Sequence, residues 1–301
     1  MPLLASPSLA ADLGSRLRRT VAMLWRRGYA LPPGRLGEVC LGGALPLEAV
    51  LEAVALEPDL EIQAGLVVGC GAAPRGDVAE RASRHAEASS RYLPATLAFV
   101  RTLVRTSPYV LAVSVAGSLA SGGFRASDDV DLNLVVEDGR RHLAYVALNA
   151  LGLTHALRFR GKPVDAHTAR PLAPRLMTAN LIIERSQCFP LARQDEDMAY
   201  ELLVAQPVHG IRLWQEVVAR NPALLDHFPQ LLDKPAPWAV ERPAALPGWL
   251  FPRALDAPAR LLGGAAWNYM QWTRRRSPEA LARVAYVRRT MAPYALFERP
   301  S

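Results

Sequence analysis

The sequence predicts an α+β protein built from three consecutive parts, and three observations support that fold class. Residues 1–76 combine helical apolar spacing with a short hairpin pattern, residues 77–194 contain runs rich in β-branched residues, and residues 195–301 are helical in pattern. The chain has 301 residues and is 50% hydrophobic, so it can bury a sizeable core. Its 25 prolines and 20 glycines follow no period, which excludes collagen-like and low-complexity classes.

The first part contains three helical patterns and one hairpin pattern. Apolar residues recur at helical spacing over three ranges, 16–29, 35–39 and 47–55. Residues 60–69 then alternate around Gly65, which is typical of a small hairpin. Three helices followed by a hairpin indicate a winged-helix-like module.

The second part predicts a small mixed sheet flanked by helices. Asp77 can cap a first helix, and Pro94 begins a second amphipathic helix that Pro108 stops. Apolar and β-branched residues then favour two buried strands on either side of a polar, glycine-containing loop. The predicted elements are helices 77–92 and 94–107, strands 109–115 and 130–136, helix 140–151 and strand 179–183.

The third part is predicted to be a helical region. Helices are expected over residues 195–204 and 211–220, with a stop at Asn221 and Pro222 and two further helices beyond. The last helix has a clear start, because Ser277 can act as its N-cap and is followed by Pro278 and Glu279.

Charge is concentrated at one end of the chain. The net charge is +7, and residues 251–301 hold nine arginines against three acids, which leaves +6 in that segment. A basic surface suits phosphate groups of a nucleotide or nucleic acid. An arginine-rich composition with two lysines, Lys162 and Lys234, is equally well explained by a GC-rich genome.

The sequence predicts a cytoplasmic protein with no membrane partner. The first arginine is Arg16, so no basic segment precedes the apolar N-terminal residues as a secretory signal requires. The charge-free run 106–124 contains Pro108 and paired glycines, which argues against a transmembrane helix. The three cysteines, Cys40, Cys70 and Cys188, are widely spaced, so buried free thiols are expected rather than disulfides or a zinc site.

One stretch, residues 115–136, carries the candidate chemistry. A strand leads into Gly117 and Ser118 at the start of a short helix, and a second strand opens with Asp129 and Asp131. Because side chains alternate along a strand, the two carboxylates share a face, where they repel each other unless a cation lies between them. Gly117 permits close backbone approach, and the Ser118 hydroxyl with free helix amides suits a triphosphate.

This stretch resembles the DNA polymerase beta-like nucleotidyltransferase superfamily. That motif has an apolar residue, Gly, then Gly or Ser, about ten residues and Asp-x-Asp; here Ala116-Gly117-Ser118 is followed by ten residues and Asp129-Val130-Asp131. The resemblance implies that Asp129 and Asp131 hold Mg²⁺, or Mn²⁺, and that Gly117 and Ser118 grip the β- and γ-phosphates of a nucleoside triphosphate. It also implies nucleotidyl transfer to an acceptor hydroxyl with release of pyrophosphate.

The wider order of elements is similar to bacterial nucleotidyltransferase-like proteins with a winged-helix-like N-terminus. This likeness covers most of the chain and implies a winged-helix-like domain at 1–76, a nucleotidyltransferase core at 77–194 and a helical region at 195–301. It does not name the acceptor, which can be a small molecule, a protein or a nucleic acid.

A third carboxylate usually completes such a site, and two positions compete for it. Asp165 is flanked by Val164 and Ala166 as in a short strand, which makes it the candidate for a third catalytic acid. The competing alignment places Asn180 there. Asparagine cannot bridge two cations as a carboxylate does, so that alignment puts transfer activity in doubt.

Other polar residues near the motif favour structural roles. Asp128 is interpreted as a solvated loop acid, His167 as a structural histidine, and Arg125 as either a solvated residue or a triphosphate contact. The aromatic residues Trp267, Tyr269 and Trp272 precede an arginine run, residues 274–276. They are expected to be helix core with the arginines exposed, although base stacking with phosphate contacts is the alternative.

A second function class remains open, a DNA-binding or nucleotide-sensing regulator with an inactive transferase-like core. The predicted second and third helices carry few basic residues, since Arg35 is accompanied by Glu38, Glu48 and Glu52. Phosphate contacts dominate DNA affinity, so nucleic acid is a possible partner but not the favoured one.

Overall fold

The computed structural model describes residues 7–72, 76–164, 168–169, 176–241 and 243–291 and has a mixed α+β fold. The elements of the N-terminal part are α1 (Pro7–Arg26), α2 (Pro33–Glu38), α3 (Leu47–Leu56), β1 (Leu60–Gln63) and β2 (Leu66–Gly69). The central elements are α4 (Gly76–Thr106), β3 (Val110–Ala116), α5 (Gly117–Ser121), β4 (Val130–Val136), α6 (Arg141–Ala156) and β5 (Met177–Glu184). The remaining elements are α7 (Glu196–Val204), β6 (Gln206–His209), α8 (Ile211–Ala219), α9 (Ala223–His227), α10 (Asp256–Arg274) and α11 (Pro278–Met291).

The predicted hairpin is confirmed. Strands β1 and β2 pair antiparallel, from Leu60 opposite Gly69 to Gln63 opposite Leu66. The two residues between them, Ala64 and Gly65, both have positive φ angles, as the tight turns that suit the twist of paired strands require.

The central sheet has four strands in the order β5-β4-β3-β6. Strand β3 is antiparallel to both β4 and β6, whereas β4 and β5 run parallel. The sequence-based prediction that the two apolar runs are neighbouring strands of one mixed sheet is therefore confirmed.

The two faces of this sheet pack in different clusters. On one face Val113, Val115, Leu132 and Leu134 pack with α4 and α6. On the other face Ala112 and Val135 belong to a cluster with residues of α1, α3, α7 and α8. One hydrophobic cluster therefore joins the N-terminal helices, the sheet and the helices that follow it.

The predicted break between two helices at Pro94 is wrong, because α4 continues through it for 31 residues. Proline inside a helix costs about 3 kcal/mol through the lost hydrogen bond and a steric clash. On both sides of Pro94 the helix buries large side chains completely, including Tyr92, Phe99 and Leu103. Each contributes about 1.5–3 kcal/mol when buried, so packing outweighs the local cost.

The third part is mainly helical, as predicted, but it also contains one strand that was not predicted. Strand β6 lies between α7 and α8 and pairs with β3 at the edge of the sheet. An edge position tolerates Pro207, which cannot donate to a ladder. The predicted starts of two helices in this part are confirmed. The Asp195 side chain accepts from the Met198 amide at 3.0 Å at the start of α7, and the Ser277 side chain accepts from the Ala280 amide at 3.2 Å at the start of α11.

The cysteines and the lengths of the apolar helices bear on two further expectations. Cys40 and Cys188 are buried free thiols as predicted, but Cys70 is exposed. Within the ranges described above, no helix is both long enough and apolar enough to cross a bilayer.

Candidate active site

The candidate site lies where β3 ends and β4 begins. Antiparallel pairing places Ala116 opposite Asp131, so Gly117 follows directly beside that acid. Gly117 has a φ of +61°, and a Cβ atom there would lie 2.8 Å from Cγ and 2.9 Å from Cβ of Asp131. Only glycine therefore allows the carboxylate to lie against the backbone at this point.

The carboxylate of Asp131 is held from the other side by β5. The register places Thr178 opposite Asp131, and the Thr178 hydroxyl donates to Oδ1 of Asp131 at 2.8 Å. Oδ2 of Asp131 is the atom that a Cβ added at Gly117 would meet first. The neighbours on both strands thus fix the orientation of this side chain.

Asp129 immediately precedes β4 and is partly accessible, with 21% of its side chain exposed. Its Oδ2 atom lies 4.0 Å from Nη2 of Arg274 at the C-terminal end of α10. The basic end of a helix distant in sequence is therefore brought to the predicted acid pair. This pairing was not predicted, because nothing local in the sequence links Arg274 to residue 129.

The loop between α5 and β4 is anchored at several points. The Phe124 amide donates to Nδ1 of His85, and Lys162 donates from Nζ to the Ser127 carbonyl at 3.0 Å. Burial lowers the pKa of His85, which favours the neutral ring that can accept this bond. These contacts fix the path of the chain into Asp129.

Asp128 has a structural role in the same loop. Its Oδ2 accepts from the Arg125 amide at 3.1 Å, and its Oδ1 lies 3.6 Å from Arg125 Nε. Its side chain is only 14% exposed, so the expectation of a solvated acid is wrong. Arg125 is correspondingly engaged within the loop.

Of the two sequence-based alternatives for the third position of the site, only Asn180 lies among the described residues. Strand β5, which contains Asn180, is the neighbour of β4, but the residue opposite Asp131 is Thr178. Asp165 and His167 lie outside the described residues. Among the residues the structure does describe, no three His, Cys, Asp or Glu side chains converge as a metal site.

Asn180 belongs instead to a buried polar network. Its amide nitrogen donates to Asn133 Oδ1 at 2.9 Å and to Glu201 Oε1 at 2.8 Å. Asn133 also donates to Glu201 at 3.2 Å, and Arg27 Nη1 lies 3.8 Å from the same carboxylate. The network ties α7 and the residue that follows α1 to strands β4 and β5. The sequence feature that could have indicated this network is Asn133, a polar residue two positions after Asp131 in a buried strand.

The aromatic residues before the arginine run divide between core and surface. Trp267 packs against the core, as predicted. Trp272 is 45% exposed and stacks with Tyr269 at 6.1 Å between ring centroids, while Arg275 lies 4.8 Å over the Trp272 ring. The expectation that Trp272 is core is therefore wrong, and an aromatic and cationic surface lies next to Arg274.

Comparison with protein-family models, with curated proteins and with solved structures gave no match to this chain.

Proposed function

We propose that the protein is a Mg²⁺-dependent nucleotidyltransferase with a DNA polymerase beta-like core. It would transfer a nucleoside monophosphate from a triphosphate to an acceptor hydroxyl and release pyrophosphate. The observation that carries the proposal is the contact between Gly117 and the Asp131 carboxylate at the end of the β3–β4 pair. It gives a physical reason for the Gly-Ser and Asp-x-Asp elements to occur together.

The donor chemistry of the site fits a hard divalent cation. Asp129 and Asp131 provide carboxylate oxygens, the ligands that Mg²⁺ and Mn²⁺ prefer. Arg274, 4.0 Å from Asp129, competes with a cation for that carboxylate but adds positive charge that suits a triphosphate. When bound, the cation neutralises triphosphate charge and polarises the phosphoryl group.

The protein's own residues would position the nucleotide. Thr178 holds Oδ1 of Asp131, and Gly117 allows the backbone of α5 to approach the carboxylate closely. Ser118 follows as the first residue able to present a hydroxyl and an amide to a phosphate. Arg274 supplies a guanidinium that can exchange Asp129 for a phosphate oxygen of the incoming nucleotide.

The N-terminal part supports a module for protein contact more than one for DNA. Three helices followed by a hairpin occur in the order that a winged helix would have. In α2 the exposed Arg35 is paired with Glu38, and α3 carries acids and no base. Such a surface offers little positive charge to phosphates.

A second candidate function is a nucleotide sensor that binds without transferring. It is favoured by one observation: the residue opposite Asp131 is Thr178, a hydroxyl and not a carboxylate. If Asp129 and Asp131 are its only acids, the site can hold a nucleotide-bound cation but has no base beside the acceptor. The two candidates differ in turnover, and not in nucleotide binding.

A labelled-nucleotide assay tests this proposal. The protein is incubated with each of the four α-labelled nucleoside triphosphates, with Mg²⁺ or Mn²⁺, and both pyrophosphate release and label transfer to small molecules, protein and RNA are measured. Asp129→Asn and Asp131→Asn should abolish transfer, whereas Asp128→Asn, which alters a loop acid, should retain it. Divalent-dependent binding without turnover supports the sensor, and no nucleotide binding refutes both candidates. Asp165→Ala measures the contribution of the predicted third acid.

A further inference from the structure

A second cleft is lined by residues other than those of the candidate active site. Strands β3 and β6, helices α7 and α8 and the segment around residue 232 surround this cleft, which is partly open to solvent. Its lining is mostly apolar: Leu202, Ala205, Pro207, Ile211, Trp214, Val218, Leu231 and Leu232, with Ser114, Gln215 and Lys234 as the polar members. Gly117, Asp129 and Asp131 do not line it, so this inference is independent of the proposed function.

Two buried polar atoms in the lining lack a hydrogen-bond partner among the described residues. They are the hydroxyl of Ser114, whose residue is 1% exposed, and the indole Nε1 of Trp214, whose residue is 5% exposed. A buried donor left unpaired costs about 1–3 kcal/mol, so native proteins usually satisfy such groups. An indole nitrogen can only donate, and therefore the missing partner of Trp214 is an acceptor.

A cation completes the polar side of the cleft. Lys234 donates from Nζ to the carbonyl oxygens of Leu202, at 3.2 Å, and of Leu203. An ammonium group has three donors, so these two bonds leave one for another acceptor. Of the described lining residues, Lys234 is the one that can carry a positive charge.

The acid that faces Lys234 is already engaged. Glu201 accepts the amide groups of Asn133 and Asn180 and lies 3.8 Å from Arg27. Burial lowers the pKa of Lys234 to about 7, with Arg35 lowering it further and Glu201 opposing the shift. The cleft therefore has a cation that is short of negative charge.

We propose that this cleft binds a small carboxylate with an apolar body. Its carboxylate would pair with Lys234 and accept a hydrogen bond from Trp214 or Ser114, and its apolar body would lie against Leu202 and Ile211. A cationic ligand is excluded by Lys234. A phosphate or nucleotide would place most of its polar atoms against aliphatic side chains, which is unfavourable without compensating hydrogen bonds.

Binding of an anion has a second consequence. A negative charge beside an amine favours its protonated form, so a carboxylate raises the pKa of Lys234 and the complex takes up a proton above neutral pH. Proton uptake therefore distinguishes pairing of the carboxylate with Lys234 from simple burial of an apolar chain, because burial of an apolar chain alone takes up no proton.

The test uses three probes of the same chain length, octanoate, octan-1-ol and octylamine, titrated into the full protein by calorimetry. Octanoate should bind once per chain, octan-1-ol about tenfold or more weakly, and octylamine weakest of all. Lys234→Met should weaken octanoate by about tenfold, and Trp214→Phe or Ser114→Ala by roughly threefold or more. Ser121→Ala is the matched control, because that hydroxyl is also buried and unpaired among the described residues but lies outside the cleft.

If Lys234→Met does not fold, measurements on the wild-type protein and on Trp214→Phe still test the proposal. Calorimetry above neutral pH in two buffers of different ionisation enthalpy should give uptake of about one proton per octanoate bound. Equal affinity for octanoate and octan-1-ol, no proton uptake, or no octanoate binding would each overturn the proposal.

Discussion

Gly117 and Asp131 are in direct contact across the ends of two antiparallel strands. A Cβ atom at Gly117 would lie 2.8 Å from the carboxyl carbon of Asp131, and the backbone there has a φ of +61°. This relationship links the Gly-Ser element to the Asp-x-Asp element.

Gly117→Ala should both destabilise the fold and displace Asp131. A positive φ costs a non-glycine residue about 1–2 kcal/mol, and the contact with Asp131 adds to that cost. Gly139→Ala is the matched control, because Gly139 has a φ of +74° but no atom within 4 Å of an added Cβ. Urea unfolding should give a larger loss for Gly117→Ala, and only that variant should lose divalent-dependent nucleotide binding. Equal losses in both variants would mean that the contact has no energetic importance.

The sheet could be predicted from sequence because each of its two central strands is a continuous apolar run that is recognisable locally. The same local reasoning failed at Pro94, where buried Tyr92 and Phe99 keep the helix intact, and at β6, a short edge strand containing Pro207. Helix and strand propensities do not include contacts with residues distant in sequence. In both cases such contacts determine the secondary structure.

The candidate site could be predicted only in part for a similar reason. Spacing identified Gly117 and Asp131, since the two elements are joined by one loop. Thr178 and Arg274 reach the site through strand pairing and helix packing, over sequence separations that carry no spacing signal. The cleft beside Lys234 is likewise formed by elements from three separate regions.

Asn180→Asp should destabilise the protein and create no activity. The change removes the donors to Asn133 and Glu201 and places a second carboxylate beside Glu201, which is 5% exposed. The expected cost is about 2–4 kcal/mol, measured by urea unfolding at neutral pH.

Thr178→Asp is the matched variant for Asn180→Asp, because the register places it opposite Asp131. It should lower stability without cations and recover it when Mg²⁺ is added, since a third carboxylate increases both repulsion and cation affinity. A Mg²⁺ response from Asn180→Asp but not from Thr178→Asp would contradict the register of β5.

Arg274→Gln should change two affinities in opposite directions. Removing a positive charge 4.0 Å from Asp129 should strengthen Mg²⁺ binding in the absence of nucleotide and weaken binding of the nucleoside triphosphate. Calorimetry with each ligand measures both effects. Arg260→Gln, at an exposed position of the same helix, should change neither affinity. A parallel loss of both affinities in Arg274→Gln would indicate a structural role for the arginine.

Lys234 should make stability depend on pH above neutrality. Burial lowers its folded-state pKa from 10.5 to about 7, so between these values the unfolded chain binds the proton more strongly than the folded protein. Raising the pH within that window should therefore stabilise the wild type relative to Lys234→Met, by up to about 1.4 kcal/mol per pH unit. Urea unfolding of both proteins over this range measures the difference. If the difference in unfolding free energy between the two proteins did not change with pH, the Lys234 amine would be solvated in the folded protein and the prediction would be wrong.

The most direct test of the central claim is the affinity for a non-hydrolysable nucleoside triphosphate, measured by calorimetry with Mg²⁺ and with a chelator. The wild-type protein should bind the nucleotide only with Mg²⁺, and Asp131→Asn should lose that binding while unfolding at the same urea concentration or a higher one. Wild-type binding that is equally strong with the chelator, or an unchanged affinity in Asp131→Asn, would contradict a cation-dependent nucleotide site at Gly117 and Asp131.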